Sequence, residues 1–226
     1  MICIYCGGRF IENFTLHKLF FEKKDIVCLQ CKGLFIKIID PVCEICCGHV
    51  LENQKLCKNC LEYKEQNPNH PLIINKSIFH YTNEIKEWLT YFKFCGDVKL
   101  ASLFAEDLKE NYENSFGNYK IVPVPLSNER LNERGFNQVE ELARYAGLSL
   151  TKCLKRIHTE RQSKLNRNER LNRDQIFSFC GEMKIDNESV IILDDVYTTG
   201  KTVRDAATIL LENGAAEVYS LTLIRA

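Results

Sequence analysis

The sequence predicts an α/β protein, a mostly parallel sheet flanked by helices, preceded by a small cysteine-rich metal-binding domain. Three observations carry this. Nine of the twelve cysteines fall within residues 1–60. From residue 78 onward, helical and strand patterns alternate. Val190 to Val203, VIILDDVYTTGKTV, sets four apolar residues, two acids and Thr-Thr-Gly-Lys-Thr in series, as a buried strand entering a polar turn and a helix does.

The cysteines come first. Four C-x-x-C pairs stand at Cys3/Cys6, Cys28/Cys31, Cys43/Cys46 and Cys57/Cys60. Each pair can place two thiolates on one tetrahedral Zn²⁺, and a second pair closes the site. Neighbouring pairs give one site from Cys3, Cys6, Cys28 and Cys31, and another from Cys43, Cys46, Cys57 and Cys60. Cys47 or His49 can take the place of Cys46, and a cross-braced pairing stays open. Gly7, Gly33 and Gly48 fit the tight turns of such knuckles. Four ligands without an open position imply a structural metal, and so small a segment needs one to fold. The domain is expected over 1–65, followed by a linker over 66–77, where Gln66-Asn67-Pro68-Asn69-His70-Pro71 breaks every periodicity.

The α/β domain is expected over 78–226. Ile85, Trp88, Leu89 and Phe92 repeat as an amphipathic helix requires. Val98, Ala101, Ala105 and Leu108 mark a second helix, with Asp97 placed to cap it. Ile121 to Pro125 is a short strand ended by its prolines. Val139, Leu142, Ala143 and Ala146 form the next helix, stopped by Gly147. Ile176 to Phe179 is a short strand, and Val190 to Leu193 a central one. Val203, Ala206, Ala207 and Leu210 make a helix ending at Gly214, before the strand-like VYSLTLI. The last three elements read as a right-handed βαβ unit.

Hydrophobic residues make up 45%, charged ones 27%, and formal net charge is zero, which excludes global disorder and any overall attraction to nucleic acid. No apolar run reaches the roughly 18 to 20 residues that span a bilayer, so no membrane insertion is expected. MICIYCGGRF lacks the features of a secretory signal, and clustered cysteines suit metal in a reducing compartment, so the expected location is the cytoplasm.

VIILDDVYTTGKTV is not a triphosphate loop. Gly-Lys-Thr would need a glycine where Asp195 stands, and a carboxylate there repels the phosphates. The turn still suits a phosphate. Thr198, Thr199, Gly200, Lys201 and Thr202 supply hydroxyls and backbone N–H groups at a helix N-terminus, where a dianion is favoured. Asp194 and Asp195 suit vicinal sugar hydroxyls or Mg²⁺ held through water. A carboxylate pair beside a monophosphate cradle fits a ribose 5-phosphate.

This stretch resembles the ribose-phosphate signature of type I phosphoribosyltransferases. With the cysteine knuckles, KFCGD at 93–97, VPVPLSNERLNERGFNQ at 122–138 and RQSKLNRNERLN at 161–172, the order is similar to the ComF family of late competence proteins. The resemblance covers almost the whole chain. It implies a zinc ribbon joined to a phosphoribosyltransferase-like domain that binds phosphoribosyl pyrophosphate (PRPP) with Mg²⁺. Asp194 and Asp195 would then hold the ribose hydroxyls, and Thr198 to Thr202 the 5-phosphate. Leu126, Ser127 and Arg130 would form the pyrophosphate loop, with Arg134 adding charge.

Lys152 to Arg173 carries eight Lys/Arg against two glutamates. In a transferase this would be the loop that closes over PRPP, with Arg161 and Arg170 stabilising departing pyrophosphate. The same charges, Lys152, Lys155, Arg156, Arg161, Lys164, Arg167, Arg170 and Arg173, suit single-stranded DNA, with Phe136 and His158 as stacking candidates. Hypoxanthine-type transferases have an aspartate where Thr198 stands, which sets this chain apart from that substrate class. The expected functions are therefore a PRPP-binding competence protein handling incoming single-stranded DNA beside other competence machinery, an active phosphoribosyltransferase, or a PRPP-sensing scaffold without turnover.

Overall fold

The computed structural model describes residues 1–11, 26–51, 53–68, 73–157, 176–181 and 185–226. Its centre is a four-stranded, all-parallel sheet in the order β1-β6-β5-β2. These strands are β1 (Asn75–His80), β2 (Lys120–Pro123), β5 (Ser189–Tyr197) and β6 (Glu217–Arg225). β3 (Leu154–Arg156) and β4 (Phe177–Phe179) form a separate antiparallel pair. The helices are α1 (Leu29–Lys32), α2 (Lys58–Gln66), α3 (Asn83–Phe94), α4 (Ala105–Ser115), α5 (Asn128–Arg134), α6 (Gln138–Ala146) and α7 (Lys201–Glu212). No helix among the described residues is long and apolar enough to cross a membrane.

The apolar run at 190–193 is buried on both faces, as expected of a covered parallel strand. Its side chains alternate between two cores. Ile191 and Leu193 face a cluster containing Trp88, Phe92, Phe104 and Leu142, so α3, α4 and α6 cover that face. Trp88 stacks on Phe92 with ring centroids 4.8 Å apart, and its indole N–H donates to Leu100 O at 3.2 Å. Val190 and Ile192 face the other cluster, with Val203, Ala207 and Leu210 of α7 and with Cys43, Cys46, Cys57 and Cys60. The second cysteine group is therefore part of the α/β core.

One local expectation needs correction. The helix expected over 98–108 is split into a 3₁₀ helix at Val98–Phe104 and α4, and the Asp97 side chain makes no cap hydrogen bond. The apolar positions were right, but their spacing cannot distinguish a tightened first turn from α-helix. The strand at 177–179 forms, yet it pairs outside the main sheet. β1, the short helix α5 and β3 carry no periodicity long enough to be read; three- to seven-residue elements are set by packing.

The cysteine segment contains the same turn twice. In the first knuckle, Cys3 N donates to Gly8 O (2.9 Å) and Gly7 N to Cys3 O (2.9 Å). In the second, Cys43 N donates to Gly48 O (2.8 Å) and Cys47 N to Cys43 O (3.0 Å). Gly7 and Cys47 hold the same place, both with positive φ (69° and 53°). The φ of Gly33 is ordinary, at −72°, and Gly48 is not among the positive-φ positions, so neither knuckle turn needs a left-handed glycine there. A left-handed cysteine is unusual. Here its thiol joins the knuckle to the sheet edge, donating to Asn75 O at 3.3 Å and accepting from Ser77 N at 3.5 Å.

Candidate functional site

The ligand atoms of Cys3, Cys6, Cys28 and Cys31 lie within 4.8 Å of one another, as do those of Cys43, Cys46, Cys57 and Cys60. Neighbouring knuckles pair, Cys46 is in the tetrad, and Cys47 is turned away to β1. Cys6 and Cys28 sulfurs are 4.0 Å apart, and Cys46 and Cys57 sulfurs 3.5 Å. Around Zn²⁺, with Zn–S near 2.3 Å, tetrahedral geometry sets sulfurs about 3.8 Å apart. The donor sets fit zinc. Backbone N–H groups support them, Gly8 N to Cys6 Sγ and Cys28 N to Cys3 Sγ, each at 3.4 Å.

At the carboxyl end of β5 stand Asp194 and Asp195. Asp195 pairs with Lys93, from the last turn of α3, and both side chains are largely buried. Arg134, at the end of α5, lies in the field of Asp195; its guanidinium donates to Gln138 Oε1 at 2.6 Å and sits 5.6 Å over the Phe94 ring. Arg134 Nε is buried without a partner among the described residues. Asp194 accepts from the Asp195 N–H at 2.9 Å. Burial, then the charge of Asp195, pushes its carboxyl up to about 8. Arg156 on β3 lies near enough to feel Asp194, Arg130 and Glu129. The two acids, Lys93, Arg130, Arg134 and Arg156 thus converge on one end of the sheet, where open α/β sheets bind ligands.

The loop from Thr198 to Lys201 follows at once. Gly200 has φ +77°, and a Cβ there would meet Tyr197 Oη at 2.1 Å and Arg204 Nη1 at 2.7 Å. Only glycine permits this path. Gly200→Ala should lower stability by about 1–3 kcal/mol, through backbone strain and the displaced tyrosine; an unchanged melting temperature would contradict that. Lys201 directs its ammonium to Asp205 Oδ2 at 3.0 Å, while its N–H reaches Thr199 Oγ1 at 3.4 Å.

The other expected residues are placed as follows. Ser127 caps α5, accepting from Arg130 N at 3.3 Å, with Leu126 just before it. Arg130 is exposed on α5. Lys152 pairs with Glu140 and Lys155 is exposed. Phe136 packs against Phe92, with ring centroids 5.4 Å apart. His158, Arg161, Lys164, Arg167, Arg170 and Arg173 lie outside the described residues. Lys93 joins the site, although the sequence marks it only as the first residue of KFCGD. Its signal is a lysine directly after a buried helical stripe, which places a cation at a core boundary.

Fold and site together define an α/β protein that joins two cysteine tetrads to a sheet end carrying paired acids, clustered cations and a glycine-forced loop. No family model matches the chain. It is 35% identical over 230 residues to Competence protein ComFC of Bacillus subtilis (strain 168), covering 100% of this chain and 95% of that protein. It is 30% identical over 227 residues to Competence protein ComFC of Streptococcus pneumoniae (strain ATCC BAA-255 / R6), covering 100% of both. Among solved structures, it is similar to a glutamine phosphoribosylpyrophosphate amidotransferase from B. subtilis, with TM-score 0.40 and 17% identity over 60% of this chain and 30% of that one. The chain belongs to the ComFC family of competence proteins.

Proposed function

We propose that this chain binds PRPP with Mg²⁺ at the end of β5 and handles incoming single-stranded DNA in the cytosol during natural transformation. The observation that carries the reading is the Lys93–Asp195 pair at the end of β5, directly before the Gly200 loop. Asp194 and Asp195 would accept from the ribose hydroxyls, and supply the oxygen donors that Mg²⁺ takes directly or through water. Thr198 to Thr202 would hold the 5-phosphate. The buried, unpartnered Nε of Arg134 offers a donor to pyrophosphate, with Arg130, Ser127 and Leu126 on the adjoining turn. Arg161 and Arg170 would close over it. Lys152, Lys155, Arg156, Lys164, Arg167 and Arg173 would extend a cationic surface for the DNA backbone.

The test is a melting-temperature titration with PRPP and Mg²⁺. Ligand at about 100 times Kd adds about 2.7 kcal/mol, or about 5 to 10 °C in a chain of this size. No shift refutes the PRPP reading. Anisotropy with single-stranded DNA should show affinity falling steeply with salt, as phosphate contacts require; salt-insensitive or absent binding removes the DNA half. Pyrophosphate release measured in the same samples, with a panel of nucleobases, tells a working transferase from a protein that holds PRPP without turnover.

A further inference from the structure

The second cysteine tetrad and the glycine loop are joined by two arginines that the site above does not use. Arg225, at the end of β6, donates from Nη2 to Cys46 Sγ at 3.6 Å, and from Nη1 to Tyr197 O at 3.2 Å and Thr198 O at 3.1 Å. Its guanidinium also lies 5.2 Å from the Tyr197 ring centroid. Gly48 makes room for it: a Cβ there would stand 3.1 Å from Arg225 Nη2 and 3.2 Å from Cys46 Sγ. Arg204, in the first turn of α7, donates from Nη2 to Thr199 O at 2.7 Å. Its other face covers the Tyr63 ring at 3.7 Å, one turn beyond Cys60 on α2. Three successive carbonyls, of residues 197, 198 and 199, are therefore captured by arginines braced on the cysteine module.

That capture has a directional consequence. In a trans peptide the N–H of the next residue points opposite to the carbonyl. Holding the carbonyls of Tyr197, Thr198 and Thr199 toward the cysteine module turns the amides of Thr198, Thr199 and Gly200 the other way. Those are the amides a phosphate cradle needs. A cavity of about 220 Å³ lies along the braced side, lined among others by Cys46, Cys60, Tyr63, Thr198, Arg204 and Arg225.

We propose that Arg225 and Arg204 are positioning residues that brace the anion loop against the second tetrad, so that anion binding at the loop and the state of the metal–thiolate group are coupled. A hydrogen bond to a ligating sulfur tunes its metal, and movement of that donor is felt at both ends. The coupling is reciprocal by linkage. The proposal rests on the PRPP reading and adds to it a second site that responds to the ligand.

The experiment uses the full chain loaded with Co²⁺, whose thiolate charge-transfer bands report hydrogen bonding to sulfur. PRPP with Mg²⁺ should shift those bands, and the shift should persist in Cys6→Ser, which lacks a first-tetrad ligand. Arg225→Gln should move the bands of the ligand-free protein, abolish the response to PRPP and weaken PRPP binding about tenfold. Arg225→Lys should restore little, because one ammonium cannot span a sulfur and two carbonyls. If PRPP raises the melting temperature but leaves the bands unmoved, and Arg225→Gln binds PRPP as the wild type does, the proposal is wrong. If PRPP gives no melting shift in the wild type, the PRPP reading has failed and takes this one with it. Should Arg225→Gln not fold, Arg204→Gln and the wild-type difference spectrum decide the question.

Discussion

Asp194→Asn is expected to stabilise the ligand-free protein near pH 8 while weakening the response to PRPP, whereas Asp195→Asn should lower both. The two acids are neighbours, but the fold treats them differently. Asp195 pairs with Lys93, so its loss strands that ammonium in a largely buried setting, at a cost of about 1–3 kcal/mol. Asp194 is half-buried, and its burial, then the charge beside it, holds its proton on until about pH 8. Unfolded, the same carboxyl releases its proton near pH 3.9. Between those values the folded state binds more protons than the unfolded one, so this group's contribution to stability falls as pH rises from about 4 to about 8. Asparagine does not titrate. The stability gap between Asp194→Asn and wild type should therefore open above pH 4 and stop widening near pH 8.

Ligand binding runs the other way. Each carboxylate accepting from a sugar hydroxyl contributes roughly 1.5–3 kcal/mol, so losing both should weaken PRPP binding on the order of 100- to 10,000-fold. Melting curves across pH, with and without PRPP, measure both effects. A double variant that kept the full PRPP shift would remove the carboxylates from the proposed site. A wild type whose stability did not fall relative to Asp194→Asn between pH 4 and 8 would contradict the burial of Asp194.

Most of this architecture is legible in the sequence because its signals are local and chemically narrow. VIIL is apolar at both parities, so the strand must be covered on both faces, and the structure covers it with different partners on each. The C-x-x-C spacing fixes two sulfurs per turn, and neighbouring turns closed the tetrads. What stayed illegible depends on distant pairings. Nothing near Lys93 announces Asp195, a hundred residues on. Arg225, Arg204 and Tyr63 look like solvated charges and an ordinary surface aromatic until the sheet brings the chain end beside Cys46. Cys47 was a candidate ligand by spacing alone; a left-handed backbone and its bonds to β1 turn it away.

The two tetrads, equivalent by spacing, should differ sharply in what their loss does. Cys43, Cys46, Cys57 and Cys60 are all buried and share a core with Val122, Ile192, Val203 and Leu210. Cys3 and Cys31 are buried only in a small separate cluster with Val27, edged by half-buried Ile4, Tyr5, Phe10 and Leu103, and Cys6 is exposed. A structural zinc site contributes on the order of 10 kcal/mol to folding, comparable with the roughly 5–15 kcal/mol that holds a whole domain. Removing one ligand of the second tetrad also leaves buried thiols without their metal, in contact with β5 and α7. Cys60→Ser should therefore lower the main melting transition by about 10 to 20 °C, or abolish it. Cys6→Ser should release one zinc per chain and leave the main transition within a few degrees of wild type. Zinc content and far-ultraviolet melting of the two variants make the comparison. Equal melting temperatures would mean that the second tetrad is an appended module, since only a metal built into the core can set the stability of the sheet that packs on it.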